Sequence, residues 1–315
     1  MAVLMSVMNR RPEKGLFEDV ALLKTIAPSF IEKDWWVTQV IAVLANHTAE
    51  GFEFVFTGGT ALSKAHNLIQ RFSEDVDFRV IASKTPQNRR TLSTFKHGVI
   101  DALRQSGFAI EEDHIQARDD NRFFSIDFDY PSHFSRPDAL RPHIQIEITV
   151  RSLQCQQSYL PVSSFVNTVT TNTAEVSRIA CIDPVESAAD KLSALAWRIP
   201  DRVRGGKDDD PSLVRHIHDL ALLKERALTH TNFSALVAAS MQEDDRRSKN
   251  NPLFTGLPMS EKFQQMLTIL ETDKEEYARE YDLFVKGVSY AAEGKVPNFT
   301  TAVQAVHALV QISTL

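Results

Sequence analysis

Thr57-Gly58-Gly59-Thr60-Ala61-Leu62-Ser63-Lys64, then Arg71-Phe72-Ser73-Glu74-Asp75-Val76-Asp77-Phe78, is the stretch that decides the fold. The apolar run Phe52 to Phe56 ahead of it reads as a strand and the glycines as a turn. Ala61 to Gln70 reads as a helix with Leu62, Ala65 and Ile69 on one side. Asp75 to Val80 alternates strictly, which is the period of a strand. Asp75 and Asp77 therefore share a face, with Val76 and Phe78 buried behind them. A glycine pair lets the backbone approach an anion closely, and the bare N–H groups that open a helix favour negative charge. No Walker A pattern occurs, so this is not a P-loop. The order strand, glycine turn, helix, Asp-x-Asp strand is far more specific than any of its parts.

Hard cations take oxygen ligands, and three carboxylates on one side of a sheet could hold two Mg²⁺ ions. His143 to Val150 also alternates: Ile144, Ile146, Ile148 and Val150 share one face, and Gln145, Glu147 and Thr149 the other. If this strand neighbours Asp75–Val80, Glu147 becomes the third metal ligand beside Asp75 and Asp77. Two ions about 3.5–4 Å apart would clamp the attacking and leaving oxygens of an in-line phosphoryl displacement. Asp127-Phe128-Asp129 repeats the pattern without a glycine turn upstream, and reads as the outer face of a strand.

The remaining periodicities predict helices over 17–28, 31–47 and 87–106, and strands over 108–112, 122–130 and 178–182. Trp35-Trp36 belongs to the core. Everything from Asp183 onward reads as helix, with a loop over 200–212. These elements predict an α+β chain of two domains: a mixed-sheet core with N-terminal helices over 1–182, and a helical domain over 183–315.

Composition excludes several classes. With 43% hydrophobic and 24% charged residues, the chain is an ordinary globular protein. No apolar run is long enough to cross a bilayer. Two cysteines, Cys155 and Cys181, are too few for a disulfide framework, and the expected home is the cytoplasm. A net charge of −6 argues against non-specific wrapping of nucleic acid but leaves room for a local basic surface. The expected RNA contact is Arg202, Arg204 and Lys207, ahead of Arg89-Arg90.

The two motifs quoted first resemble the AbiEii/AbiGii toxin family, which includes the MenT toxins of toxin–antitoxin and abortive-infection systems. Glu32-Lys33-Asp34-Trp35-Trp36-Val37, Asp190-Lys191-Leu192 and Arg215-His216-Ile217-His218-Asp219-Leu220 extend the resemblance over roughly residues 30–225. It implies a nucleotidyltransferase core of the DNA polymerase β-like fold followed by a helical domain. At matching positions, Gly58, Gly59 and Ser73 would bind the triphosphate of an NTP, with Thr60 and Lys64 beside them. Asp75 and Asp77 would bind metal, Lys191 would contact phosphates, and Asp219 would be a further essential carboxylate. Two departures stand out. Fifteen residues separate Gly59 from Asp75, more than in the wider superfamily, and His216 replaces the first acid of the family's Arg-Asp-x-x-Asp-Leu.

The function implied is transfer of NMP from an NTP to an RNA acceptor, with the tRNA 3′ end expected from the MenT toxins and a cognate antitoxin as partner. Competing readings are transfer to a protein side chain or small molecule, or a non-catalytic RNA- or partner-binding protein. Intact carboxylates oppose the last, since clustering anions without a cation is costly.

Overall fold

The computed structural model describes residues 6–83, 88–137, 139–171, 173–247, 255–292 and 294–314. The chain falls into two compact units: Met1–Asn67 with Phe72–Ile182, and Leu68–Arg71 with Asp183–Leu315. No helix among the described residues is long and apolar enough to cross a membrane.

The first unit opens with α1 (Lys14–Lys24) and α2 (Pro28–Asn46), followed by β1 (Phe52–Thr57), α3 (Gly58–Lys64) and β2 (Asp75–Ala82). After α4 (Arg89–Gln105) come β3 (Ile115–Arg118), β4 (Phe123–Asp129), β5 (His143–Val150) and β6 (Ser158–Val162). The unit closes with α5 (Phe165–Thr170) and β7 (Val176–Cys181). The strands form one mixed sheet in the order β3-β4-β5-β2-β1-β7-β6. β2 runs antiparallel to β1 and parallel to β5, and β4 runs antiparallel to β5.

Strand alternation separates the two faces of this sheet. Val76, Phe78 and Val80 pair with Ile146, Ile148 and Val150, all buried. Phe124, Ile126 and Phe128 continue that apolar face on β4. It joins one core cluster with Trp36, Val40 and Leu44 of α2 and Leu92, Phe95, Val99 and Leu103 of α4. Truncating a side chain such as Phe78 to Ala would cost about 3–5 kcal/mol. Both tryptophans belong to this core, as their sequence suggested, with Trp35 5% and Trp36 0% exposed.

Two local expectations are corrected, and two elements were not foreseen. The helix expected over 61–70 begins at the glycines and stops at Lys64, so the chain to Asp75 is irregular. Residues 108–111 form no strand; Phe108 and Ile110 are buried from a non-helical segment, and β3 starts only at Ile115. β6 and α5 were not anticipated. Ser158-Tyr159-Leu160-Pro161-Val162 contains a proline, tolerated because β6 is an edge strand whose register shifts between Leu160 and Val162.

The second unit is helical: α6 (Pro184–Asp201), α7 (Val214–Thr229), α8 (Phe233–Arg247), α9 (Met259–Thr272), α10 (Lys274–Val288) and α11 (Phe299–Ser313). Asp183 caps α6 by accepting a hydrogen bond from the Val185 N–H at 2.7 Å, and Pro184 occupies the first turn. Leu192, Leu195, Ile217, Leu220, Val306 and Leu309 are fully buried here. Arg71, joined to this unit by a bridge to Ser289, reaches into its interior.

Candidate active site

The polar face of the sheet gathers the acids. Register places Asp77 directly opposite Glu147 and Asp75 opposite Gln145 on the parallel pair β2–β5. The condition set for Glu147, that these two strands are neighbours, is met. The same register brings Ser125 opposite Glu147 and Asp127 opposite Gln145. Asp127 lies on the same polar face of the sheet, away from the core side of Phe128, as the sequence reading of Asp127-Phe128-Asp129 has it. Its Oδ1 is buried without a hydrogen-bond partner.

Gly58 takes φ +75°, a left-handed conformation that side chains disfavour. A methyl group there would collide with the Asp77 carboxylate. The glycine turn thus lies directly against Asp77, and only glycine permits the approach. Thr60 is fully buried, and its hydroxyl donates to the Asp75 carbonyl, tying α3 to the start of β2. Ser73, half-buried, sits two residues ahead of Asp75. Lys64 ion-pairs with Asp34. The structure thus uses Thr60 and Lys64 inside the fold, where the family resemblance would have them near nucleotide.

Behind the acids lies a feature that sequence reasoning missed. Glu32, Lys33 and Asp34 are consecutive on α2 and almost fully buried. Glu32 accepts from Arg11 at 2.6 Å, from the Ser132 hydroxyl at 2.6 Å and from the His133 N–H at 3.0 Å. Lys33 ion-pairs with Glu74 and donates to the Arg141 carbonyl at 2.8 Å. Asp34 takes Lys64 and the Phe165 N–H, the latter at 2.7 Å. Burial pushes Lys33 below the usual lysine range, against the pull of Glu74. Burial likewise raises Asp34, opposed by Lys64. Three adjacent charges thereby fasten segments from Arg11 to Phe165 around the acidic strand.

Oxygen donors on one face have the chemistry a hard cation requires. Among the described residues, however, no three His, Cys, Asp or Glu side chains stand close enough to hold a metal ion. Asp75 is already engaged: its Oδ1 accepts from Arg141 Nη1 at 2.7 Å. The donors match a divalent cation in residue type and strand register but not in spacing, and Asp75 is claimed by another partner.

In the second unit, Asp219 is fully buried between Arg71 and Lys191. Arg71 donates to both carboxylate oxygens, at 2.8 and 2.7 Å, and the Lys191 ammonium lies 2.8 Å away. Burial works to raise the Asp219 pKa, but the two cations outweigh it and hold the group well below the carboxylate range. Arg215, although only four residues before Asp219 on α7, does not pair with it. Arg215 turns instead to Asp210 at 3.0 Å. His216, at the family's acidic position, has both ring nitrogens buried without partners. Burial first, then Arg215, Lys191 and Arg198, hold it well below the usual histidine pKa, so it is neutral at pH 7.

The basic loop is also corrected. Arg202 is committed internally, at 2.7 Å from Asp209 and forked onto Glu280 at 2.7 and 2.8 Å. Arg204 pairs with Glu280 and stacks on Tyr277, its guanidinium 4.2 Å from the ring centre. Of the three expected RNA contacts, only Lys207 is exposed.

The sheet carries Asp-x-Asp after a glycine turn, and helices follow it in the chain. Residues 42–305 match the family described as nucleotidyl transferase AbiEii toxin of type IV toxin–antitoxin systems, and the chain belongs to it. Among solved structures, the chain is similar to MenT4, a nucleotidyltransferase toxin from Mycobacterium tuberculosis H37Rv. Identity there is 15%, over 87% of this chain and 99% of that one, with a TM-score of 0.38. It is also similar to the CD-NTase CdnG of Bradyrhizobium diazoefficiens, in complex with GTP, at 14% identity over 82% of this chain and 84% of that one, with a TM-score of 0.25. No protein of curated function matches the chain in sequence.

Proposed function

We propose that the chain transfers NMP from an NTP to an RNA acceptor, with the tRNA 3′ end as target and a cognate antitoxin as its restraint in the cytoplasm. The observation that carries this reading is the register of β2 on β5, which sets Asp77 against Glu147 beside the Gly58 turn. Asp75, Asp77 and Glu147 would hold Mg²⁺, two ions in all, which when bound neutralise charge on the triphosphate and on the attacking oxygen. Gly58 and Gly59 let the backbone approach the phosphates, with Ser73 close by. Thr60 and Lys64 act as positioning residues, through the Asp75 carbonyl and Asp34.

Lys191 would offer its ammonium to the phosphates, where charge accumulates on the leaving pyrophosphate. Asp219 is unsuited to be a base, since a carboxylate clamped by two cations has little proton affinity. It serves by orienting Lys191. Incubating the protein with each labelled NTP and total RNA tests the proposal. Label in tRNA is expected. Label in protein or in small molecules would replace the acceptor assignment, and no label with any NTP would overturn transfer altogether.

A further inference from the structure

Arg141 stands just before β5, and its two halves are held differently. Its main chain is fixed on both sides: the N–H donates to Glu74 Oε2 at 3.1 Å and the carbonyl accepts from Lys33 Nζ. Lys33 and Glu74 are paired with each other, and the Lys33 side chain is fully buried. The head is the more exposed half, and its Nε also lies 3.7 Å from Glu74 Oε1. Nη1 donates to Asp75 Oδ1 and to Gln145 Oε1, each at 2.7 Å, and the side chain is 39% exposed. Half-exposed ion pairs contribute little to stability, so this head can change partners without loosening the fold. A guanidinium is also the side chain best matched to phosphate oxygens, through its fork of parallel donors.

Asp75 Oδ1 is an oxygen that a cation at the carboxylate face also needs. Guanidinium and cation compete for it, and a displaced Arg141 remains rooted beside the acids. The nearest new anion is then the polyphosphate that the cation brings.

We infer that Arg141 is a polyphosphate-binding residue of the nucleotide site, which competes with the divalent cation for Asp75 and moves onto the phosphates once that carboxylate is taken. This rests on the nucleotidyltransferase reading above. It predicts opposite effects from one substitution. In Arg141→Gln, Mn²⁺ alone, followed by titration calorimetry, should bind about 3- to 5-fold more tightly, the scale of a partly exposed ion pair. Magnesium tripolyphosphate should bind about 10-fold more weakly or worse, the scale of a lost charge-assisted hydrogen bond. Arg141→Lys keeps a cation without the fork; it should retain the wild-type Mn²⁺ affinity and lose part of the tripolyphosphate affinity. It keeps the test open should Arg141→Gln not fold. If both affinities fall together, Arg141 is only a prop for the loop and the inference is wrong. If neither changes, it is also wrong. Should the wild-type protein bind neither probe, the nucleotidyltransferase reading fails first and takes this one with it.

Discussion

Asp75 and Asp219 are both carboxylates gripped by an arginine, yet their surroundings give them opposite characters. Asp75 is 29% exposed and bound by a guanidinium that is itself 39% exposed. Asp219 is fully buried, forked by Arg71 and approached by Lys191. Removing one partner of a buried pair strands the other charge, whereas a half-exposed pair is replaced by water at little cost. The first arrangement suits ligand exchange and the second suits permanence. Sequence motifs treat both acids as functional; only burial tells how each can act.

The largest expected effect breaks the exchangeable side. Asp77→Asn or Asp75→Asn should reduce nucleotidyl transfer by about 10³-fold or more, on the scale of losing a preorganised transition-state contact. Thermal unfolding should stay at or above wild type, since a charge leaves an acidic face. Turnover near wild type in either variant would remove the carboxylate site from the account.

The permanent side should break as stability. Asp219→Asn leaves Arg71 and Lys191 uncompensated and should cost about 3–5 kcal/mol in denaturant unfolding. Lys191→Met, with Arg71 still forked onto Asp219, should cost less stability but lower the transfer rate about 10²–10³-fold. Acid sharpens the same contrast. Because the folded Asp219 pKa is depressed, its stabilisation is complete above the unfolded value near 4 and is lost as pH falls below it. The stability gap between wild type and Asp219→Asn should therefore narrow below about pH 4. A gap that stays constant down to pH 2 would mean that Asp219 is not held ionised.

Gly58→Ala probes the approach to Asp77. Strain at a left-handed φ and the collision with the carboxylate should cost about 1–3 kcal/mol, and transfer should fall with it. The smallest effect belongs to the basic loop. Lys207→Ala should change stability by less than about 0.5 kcal/mol, and Arg202→Ala should leave the salt slope of RNA binding unchanged. A slope reduced by about one unit in Arg202→Ala would show that this arginine reaches phosphate despite Asp209 and Glu280.

Much of this was legible in the sequence where periodicity speaks. The alternation of Asp75–Val80 and His143–Val150 marked β2 and β5 with their faces, and the glycines marked the turn. The helical reading from Asp183 onward matched the start of α6. Pairing was not legible: nothing local says that Arg71 meets Asp219, 148 residues away, in place of Arg215 four residues away. The buried Glu32-Lys33-Asp34 was hidden for a different reason. Charged residues on a helix are expected in water, and only their partners at Glu74, Arg141, Ser132, Lys64 and Phe165 make burial tolerable.

The spans of those same contacts bear on the order in which the protein comes into being. Lys33 finds the Arg141 carbonyl 108 residues later, and Asp34 finds Phe165 131 residues later. A chain emerging from the ribosome therefore carries Asp75 and Asp77 long before β5 arrives to set Glu147 beside them. At roughly 5–20 residues per second, that interval lasts several seconds. Pairings this distant slow folding, and the carboxylate face cannot be assembled until β5 has been made.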